Sequence, residues 1–150
     1  METMKVNNNR QDSLSVLAKS TLENINKYWN EVNISPDFIF LKKPEVGMVM
    51  VRAQTSGETQ QFNMGEMTVT RCVVRLESEE MGYGYVSGRN KEKSTLVALI
   101  DACSQVPSLK DVVQKKVIDP LSELQIAVEK KQEEKIKPSK VNFFTMVRGE

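Results

Sequence analysis

The side chains in this sequence that could do chemistry are mainly cations. Arg71 and Arg75 lie in one run, residues 66–76, and Arg89, Lys91 and Lys93 cluster around Asn90. A guanidinium is a rigid fork of donors that suits a carboxylate or a phosphate, and an ammonium adds a point charge. Histidine is absent, and Cys72 and Cys103 are the two cysteines. This chain alone therefore cannot supply a Ser-His-Asp triad, a Cys-His pair or a histidine metal site. The cysteines lack zinc or redox spacing, so no metal site is expected, and they read as buried thiols in a reducing compartment. A Cys72 nucleophile would have only a carboxylate or a lysine as its base.

The elements that position the cations follow from periodicity. In a strand over 66–76, Thr68, Thr70, Cys72, Val74 and Leu76 share one face, and Met67, Val69, Arg71, Val73 and Arg75 share the other. Arg71 then stands between two valines. It must pair with an acid on a neighbouring element, reach water past the core edge, or serve as a fork for an anionic ligand or a partner's carboxylate. Residues 77–80 turn the chain, and 82–86 pair back. Asn90 next caps a helix whose apolar face holds Leu96, Leu99, Ile100 and Cys103. Arg89, Lys91 and Lys93 oppose the positive end of that helix dipole. With Gly88 and free N–H groups beside them they resemble an anion site, although solvated first-turn lysines would look the same. Arg71, Arg75, Arg89 and Lys91 are thus the candidates for substrate or anion binding, with no catalytic residue assigned.

The remaining chain reads as cover and extension around residues 57–102. Residues 1–11 are polar and expected to be flexible. Leu14, Leu17, Leu22, Ile25, Trp29 and Val32 follow helical spacing, with a capping box at 20–23 that divides the stripe into two helices. Pro36 ends the second. Residues 37–42 and 46–52 read as an antiparallel hairpin around Lys43-Pro44-Glu45, and 60–64 as a short strand ending at Gly65. A short helix is expected over 109–116, and another begins at Asp119-Pro120 with aspartate as cap. Leu121, Leu124 and Val128 form its narrow stripe before a mixed-charge arm. Residues 138–150 form a docking tail, in which Phe143, Phe144, Met146 and Arg148 are the partner-binding candidates. Such an apolar stretch either returns as a strand on its own sheet or docks on another subunit.

The chain has 150 residues and a formal net charge of +1. One domain, 1–150, is expected, with no bulk attraction to nucleic acid. No apolar run nears the roughly 20 residues of a membrane helix, and no signal-peptide core is present, so a cytoplasmic protein is expected. The fold class is α+β: N-terminal helices, a mostly antiparallel sheet of four or five strands, then helices and the tail.

Phe144-Thr145-Met146-Val147-Arg148-Gly149 resembles the ending of the PhnG family, a subunit of the bacterial carbon–phosphorus lyase machinery. Ser15-Val16-Leu17-Ala18, Thr68-Val69-Thr70-Arg71, Val74-Arg75-Leu76, Gly82-Tyr83, Gly88-Arg89 and Ala98-Leu99-Ile100-Asp101-Ala102 resemble that family in the same order. The resemblance implies phosphonate catabolism and assembly with PhnH-, PhnI- and PhnJ-like subunits and a PhnL-like ATP-binding protein. It also implies support for the displacement of adenine from ATP by a phosphonate, giving ribose 1-phosphonate 5-triphosphate. The chemical centre would lie mainly in the PhnI-type subunit, and the iron–sulfur chemistry in the PhnJ-type one. ATP would be a substrate of the complex, and this chain would bind no cofactor itself. Asn90, Lys93 and Thr95 depart from the family's aspartate, histidine and glutamate, so no catalytic role is carried over to them. Without the resemblance, the same basic helix start suggests a free-standing binding module for a phosphorylated small molecule.

Overall fold

The stretch from residue 38 to residue 76 folds as two long strands. The computed structural model describes residues 2–55, 60–139 and 141, with backbone alone for 2–8. In it β1 spans Phe38–Gln54 and β2 spans Gln61–Leu76. They pair antiparallel from Phe38↔Leu76 to Gln54↔Gln61, with register shifts between Phe40 and Lys42, Lys42 and Glu45, and Val51 and Arg52. The chain therefore runs straight through Lys43-Pro44-Glu45, and the expected hairpin there does not form. Among the described residues β1 is an edge strand bonded to β2 alone. A proline on such a strand, absorbed at a register shift, removes no ladder bond. Gly65 likewise sits inside β2, opposite Val51, so the expected short strand is its first part.

β3, Met81–Ser87, pairs with β2 from Arg75↔Met81 to Val69↔Ser87. Among the described residues the sheet has three antiparallel strands in the order β1-β2-β3, where four or five were expected for the chain. Helices precede and follow it, which makes the chain α+β as the sequence reading had it.

α1 spans Glu2–Lys19 and α2 Leu22–Val32. α1 thus begins well before Asp12, inside the stretch read as flexible. The bend between the helices is where the sequence placed it, but its cap is Thr21, whose Oγ1 accepts from the Asn24 N–H at 3.3 Å. Ser20 is buried and donates to the Val16 carbonyl at 2.7 Å. Asn33, at φ 53°, closes α2 in the left-handed region that asparagine tolerates.

α3, Lys91–Gln105, is capped by Asn90, whose Oδ1 accepts from the Lys93 N–H at 2.9 Å. α4, Pro107–Val113, continues through a π-helical turn at Gln114–Ile118 into α5, Asp119–Ile136. Asp119 is not a cap. It accepts from Gln114 Nε2 at 2.7 Å. Pro120 cannot donate and would crowd the carbonyl four residues back, and the wide π turn just before it relieves both constraints.

The core lies between the sheet and the helices. Leu17, Ile25 and Trp29 meet the inward face of β2, Cys72, Val74 and Leu76, with Ile100 of α3. α3 sits almost on the backbone of β3. A Cβ on Gly82 would collide with the Ala98 carbonyl, and one on Gly84 with the Ser94 carbonyl. Two glycines facing small residues let the helix approach that closely.

Candidate functional site

In the run Gly82-Tyr83-Gly84-Tyr85, strand alternation sends the glycines toward α3 and the tyrosines to the opposite face. Tyr83 and Tyr85 are both close to half exposed. Their cross-strand partners are Val73 and Arg71. Arg71 lies opposite Glu45 in the β1–β2 ladder, and its Nε donates to Glu45 Oε1 at 2.7 Å. Lys42 Nζ reaches the same oxygen at 2.8 Å. Lys42 first and Arg71 second hold the Glu45 carboxyl below the usual carboxylate range. The cost of a guanidinium between valines is thus met by an acid on the adjacent strand, one of the arrangements its position allowed. Arg75 stands further along this open face, between Ile39 and Met81.

Arg89 and Lys91 lie elsewhere, exposed at the start of α3. The turn before them is pinned by Thr70, whose hydroxyl donates to the Gly88 carbonyl at 2.6 Å and accepts from the Asn90 N–H at 3.1 Å. Asn90 occupies one free N–H of the helix start. Lys93 turns into the body and donates to the Ala18 carbonyl at 2.7 Å, capping the last turn of α1. Burial lowers its amine below the usual lysine range. Two features of an anion site, a free helix start and a third cation, are therefore already engaged within the fold. The four cationic candidates divide into Arg71 and Arg75 on the open face and Arg89 and Lys91 at the helix start. Phe143, Phe144, Met146 and Arg148 lie outside the described residues.

The open face leads into a feature that sequence reasoning missed. β3 ends opposite Val69, so residues 48–54 of β1 and 61–68 of β2 continue as a two-stranded ribbon. Met48 and Met50 line one surface and Val49 and Val51 the other, with Phe62, Met64 and Met67 beside them. Met48 is 68% exposed and Met64 70%. A bare two-stranded ribbon is marginal in water, and an apolar patch of this kind marks an interaction surface. Methionine adapts to a partner's contour better than a branched side chain. Gly47-Met48-Val49-Met50-Val51 carried the signal, since apolar residues at both parities imply burial on both faces.

The chain matches the family described as phosphonate metabolism protein PhnG over residues 8–149. Alpha-D-ribose 1-methylphosphonate 5-triphosphate synthase subunit PhnG of Rhizobium meliloti (strain 1021) is 34% identical over 141 residues, 94% of this chain and 90% of that protein. This chain belongs to the PhnG family.

The PhnG resemblance read from the short motifs is therefore correct, and several motifs among the described residues have structural roles. Gly82-Tyr83 forms the helix-facing and solvent-facing pair of β3. Thr70 holds the turn at Gly88-Arg89. Ala98 and Ala102 sit against Gly82. Asp101 is 2% exposed, and both its oxygens receive Arg10, at 3.0 and 2.8 Å, while Oδ2 also accepts the Tyr83 N–H at 3.0 Å. Its hydrogen bond holds the Arg10 guanidinium above its usual range. The residues that depart from the family pattern do local work here: Asn90 caps, Lys93 binds the end of α1, and Thr95 Oγ1 donates to the Lys91 carbonyl at 2.9 Å.

Cys72 is buried and donates to the Ser94 carbonyl at 3.2 Å, and burial raises its thiol above the usual range. Cys103 is pushed up to about 11 by burial. Neither is a poised nucleophile. Among the described residues, no cluster of His, Cys, Asp or Glu could hold a metal ion, and no helix is long and apolar enough to cross a membrane.

Proposed function

We propose that this chain is an assembly subunit of a cytoplasmic synthase that makes ribose 1-methylphosphonate 5-triphosphate. ATP is the substrate of the assembled complex, and a phosphonate displaces its adenine. The partners are PhnH-, PhnI- and PhnJ-like subunits with a PhnL-like ATP-binding protein. The carrying observation is the apolar ribbon of β1 and β2, on which Met48, Met50, Phe62, Met64 and Met67 are exposed among the described residues, the character of a subunit interface. The relative's name, a synthase subunit, points the same way. The chemistry on this chain fits a supporting role, since it has no histidine and its thiols are raised by burial. Arg71 and Arg75 contribute a basic, tyrosine-flanked face toward a partner's acids or a bound phosphorylated substrate.

Co-expression of a tagged copy with PhnH-, PhnI- and PhnJ-like partners, followed by native mass measurement, tests the reading. The wild-type chain should elute in a co-complex, and the double substitution Met48→Glu, Met64→Glu should elute alone with its fold intact. A wild-type chain that co-purifies with none of them would sink the proposal. Inside the complex, Arg71→Ala and Arg89→Ala should each lower turnover while assembly persists. Full turnover in both would remove these cations from any role toward substrate.

A further inference from the structure

α1, the end of α3 and α4 with the π turn that follows it border a cleft of about 190 Å³. Packed helices usually fill such a junction with interlocking apolar side chains. Here every lining side chain among the described residues is polar, two are cations and none is a carboxylate. On the open face of the sheet Lys42 and Arg71 share Glu45, whereas this cleft has no acid of its own.

Arg10 reaches the cleft from α1. Its Nε and Nη2 are bonded to Asp101 and the Met81 carbonyl, and its guanidinium lies over the Tyr83 ring at 5.6 Å. Those contacts fix the plane of the fork and leave both protons of Nη1 unused among the described residues. Lys110 of α4 is exposed, and its amine forms no ion pair among the described residues. Gln114 is the first residue of the π turn, a local widening found frequently at functional sites. Its Nε2 gives one proton to Asp119 and keeps the second. Ser13 and Ser104 add hydroxyls that donate to the Asn9 and Asp101 carbonyls at 2.9 and 2.7 Å. A hydroxyl rotates readily toward a stronger acceptor.

We propose that this cleft binds a free tetrahedral oxyanion of phosphate size, held by Arg10 Nη1, Lys110 Nζ and Gln114 Nε2. Pockets for larger organic ligands run from about 300 to 1,000 Å³, so this one admits a small ion with a few waters and not a nucleotide. Donors from separate elements suit an ion whose oxygens point in several directions better than a flat carboxylate. Asp101 already balances Arg10, so the surplus charge is that of Lys110, which should carry much of the affinity. The site is separate from Arg71 and Arg75 and from Arg89 and Lys91. Its occupant would tie α1 to α3 and α4.

Titration of the full chain with inorganic phosphate, at fixed ionic strength against chloride, tests the proposal. Calorimetry should show saturable binding. The melting temperature should rise by about 3 to 6 °C at ten times the dissociation constant. Amide exchange should slow at residues 9–13 and 104–114 and stay unchanged along β1. Lys110→Ala, an exposed substitution, should keep the fold and weaken binding by about tenfold or more, and Gln114→Ala by about fivefold. Binding that is lost in Arg89→Ala with Lys91→Ala and kept in Lys110→Ala would place the ion at the start of α3 and overturn the proposal. So would acetate binding as tightly as phosphate, or no saturable binding up to about 10 mM, ten times a millimolar dissociation constant.

Discussion

The two faces of the sheet obey opposite rules. On the inner face α3 lies so close to β3 that Gly82 and Gly84 admit no side chain, and every inward residue of β2 from Thr70 to Leu76 is buried. On the outer face Arg71, Tyr83 and Tyr85 are exposed and Glu45 half-buried beside a buried Val69. Along the ribbon beyond β3, Met48, Met50, Phe62 and Met64 stand in solvent although they are as apolar as core residues. Hydrophobicity alone does not distinguish the two. Among the described residues the difference lies in whether a helix covers the face, and an uncovered apolar face marks an interaction surface.

Substitutions can break or sharpen that contrast. The largest effect should come from Gly82→Val, which drives a side chain into the α3 backbone at Ala98 and Ala102, where nothing flexible can yield. A loss of at least about 3 kcal/mol in urea unfolding is expected, and an unchanged midpoint would mean that the helix does not sit on the strand. Next comes Asp101→Ala, which leaves the Tyr83 N–H without its acceptor and Arg10 without its ion pair. About 3 kcal/mol should be lost, and Asp101→Asn should recover part of it by keeping an acceptor for Tyr83.

A thiol on the inner face reports the same closure through pH. Burial raises Cys103 from 9.0 to about 11, so the folded state holds the proton more tightly than the unfolded chain does. Its contribution is fully present below pH 9 and is lost as pH rises toward 11, by about 2 to 3 kcal/mol. Unfolding followed across that window should fall more steeply for the wild type than for Cys103→Ala, and parallel curves would count against a sealed inner face. The smallest change in the chain's own stability should come from Met48→Glu with Met64→Glu on the ribbon, under about 0.5 kcal/mol. If that pair instead unfolded the chain, the ribbon would belong to this chain's own core.

Much of the fold was legible because it depends on local geometry. The bend near Ser20, the Asn90 cap, the α2 stop before Pro36 and the alternation of β2 all follow from propensities acting over a few residues. The misplaced elements share another cause. Lys43-Pro44-Glu45 reads as a turn, but on an edge strand proline deletes no ladder bond, and edge status is a fact about neighbours. Asp119-Pro120 reads as a helix start, but an upstream π turn carries the helix through. Of the site, the parity of Arg71 was readable, whereas its pairing with Glu45 needed the β1–β2 register.

By itself the sequence determined the α+β class, the two-faced alternation of β2, the exclusion of histidine chemistry and the PhnG membership. These rest on residue identity, short-range period and shared motifs. Only the tertiary structure decided that Lys93 serves α1, that Asp101 locks Arg10 to the edge of β3, and that an apolar ribbon extends past the helices. Each of these joins residues far apart in the chain, and distance in space is set by how the whole core packs.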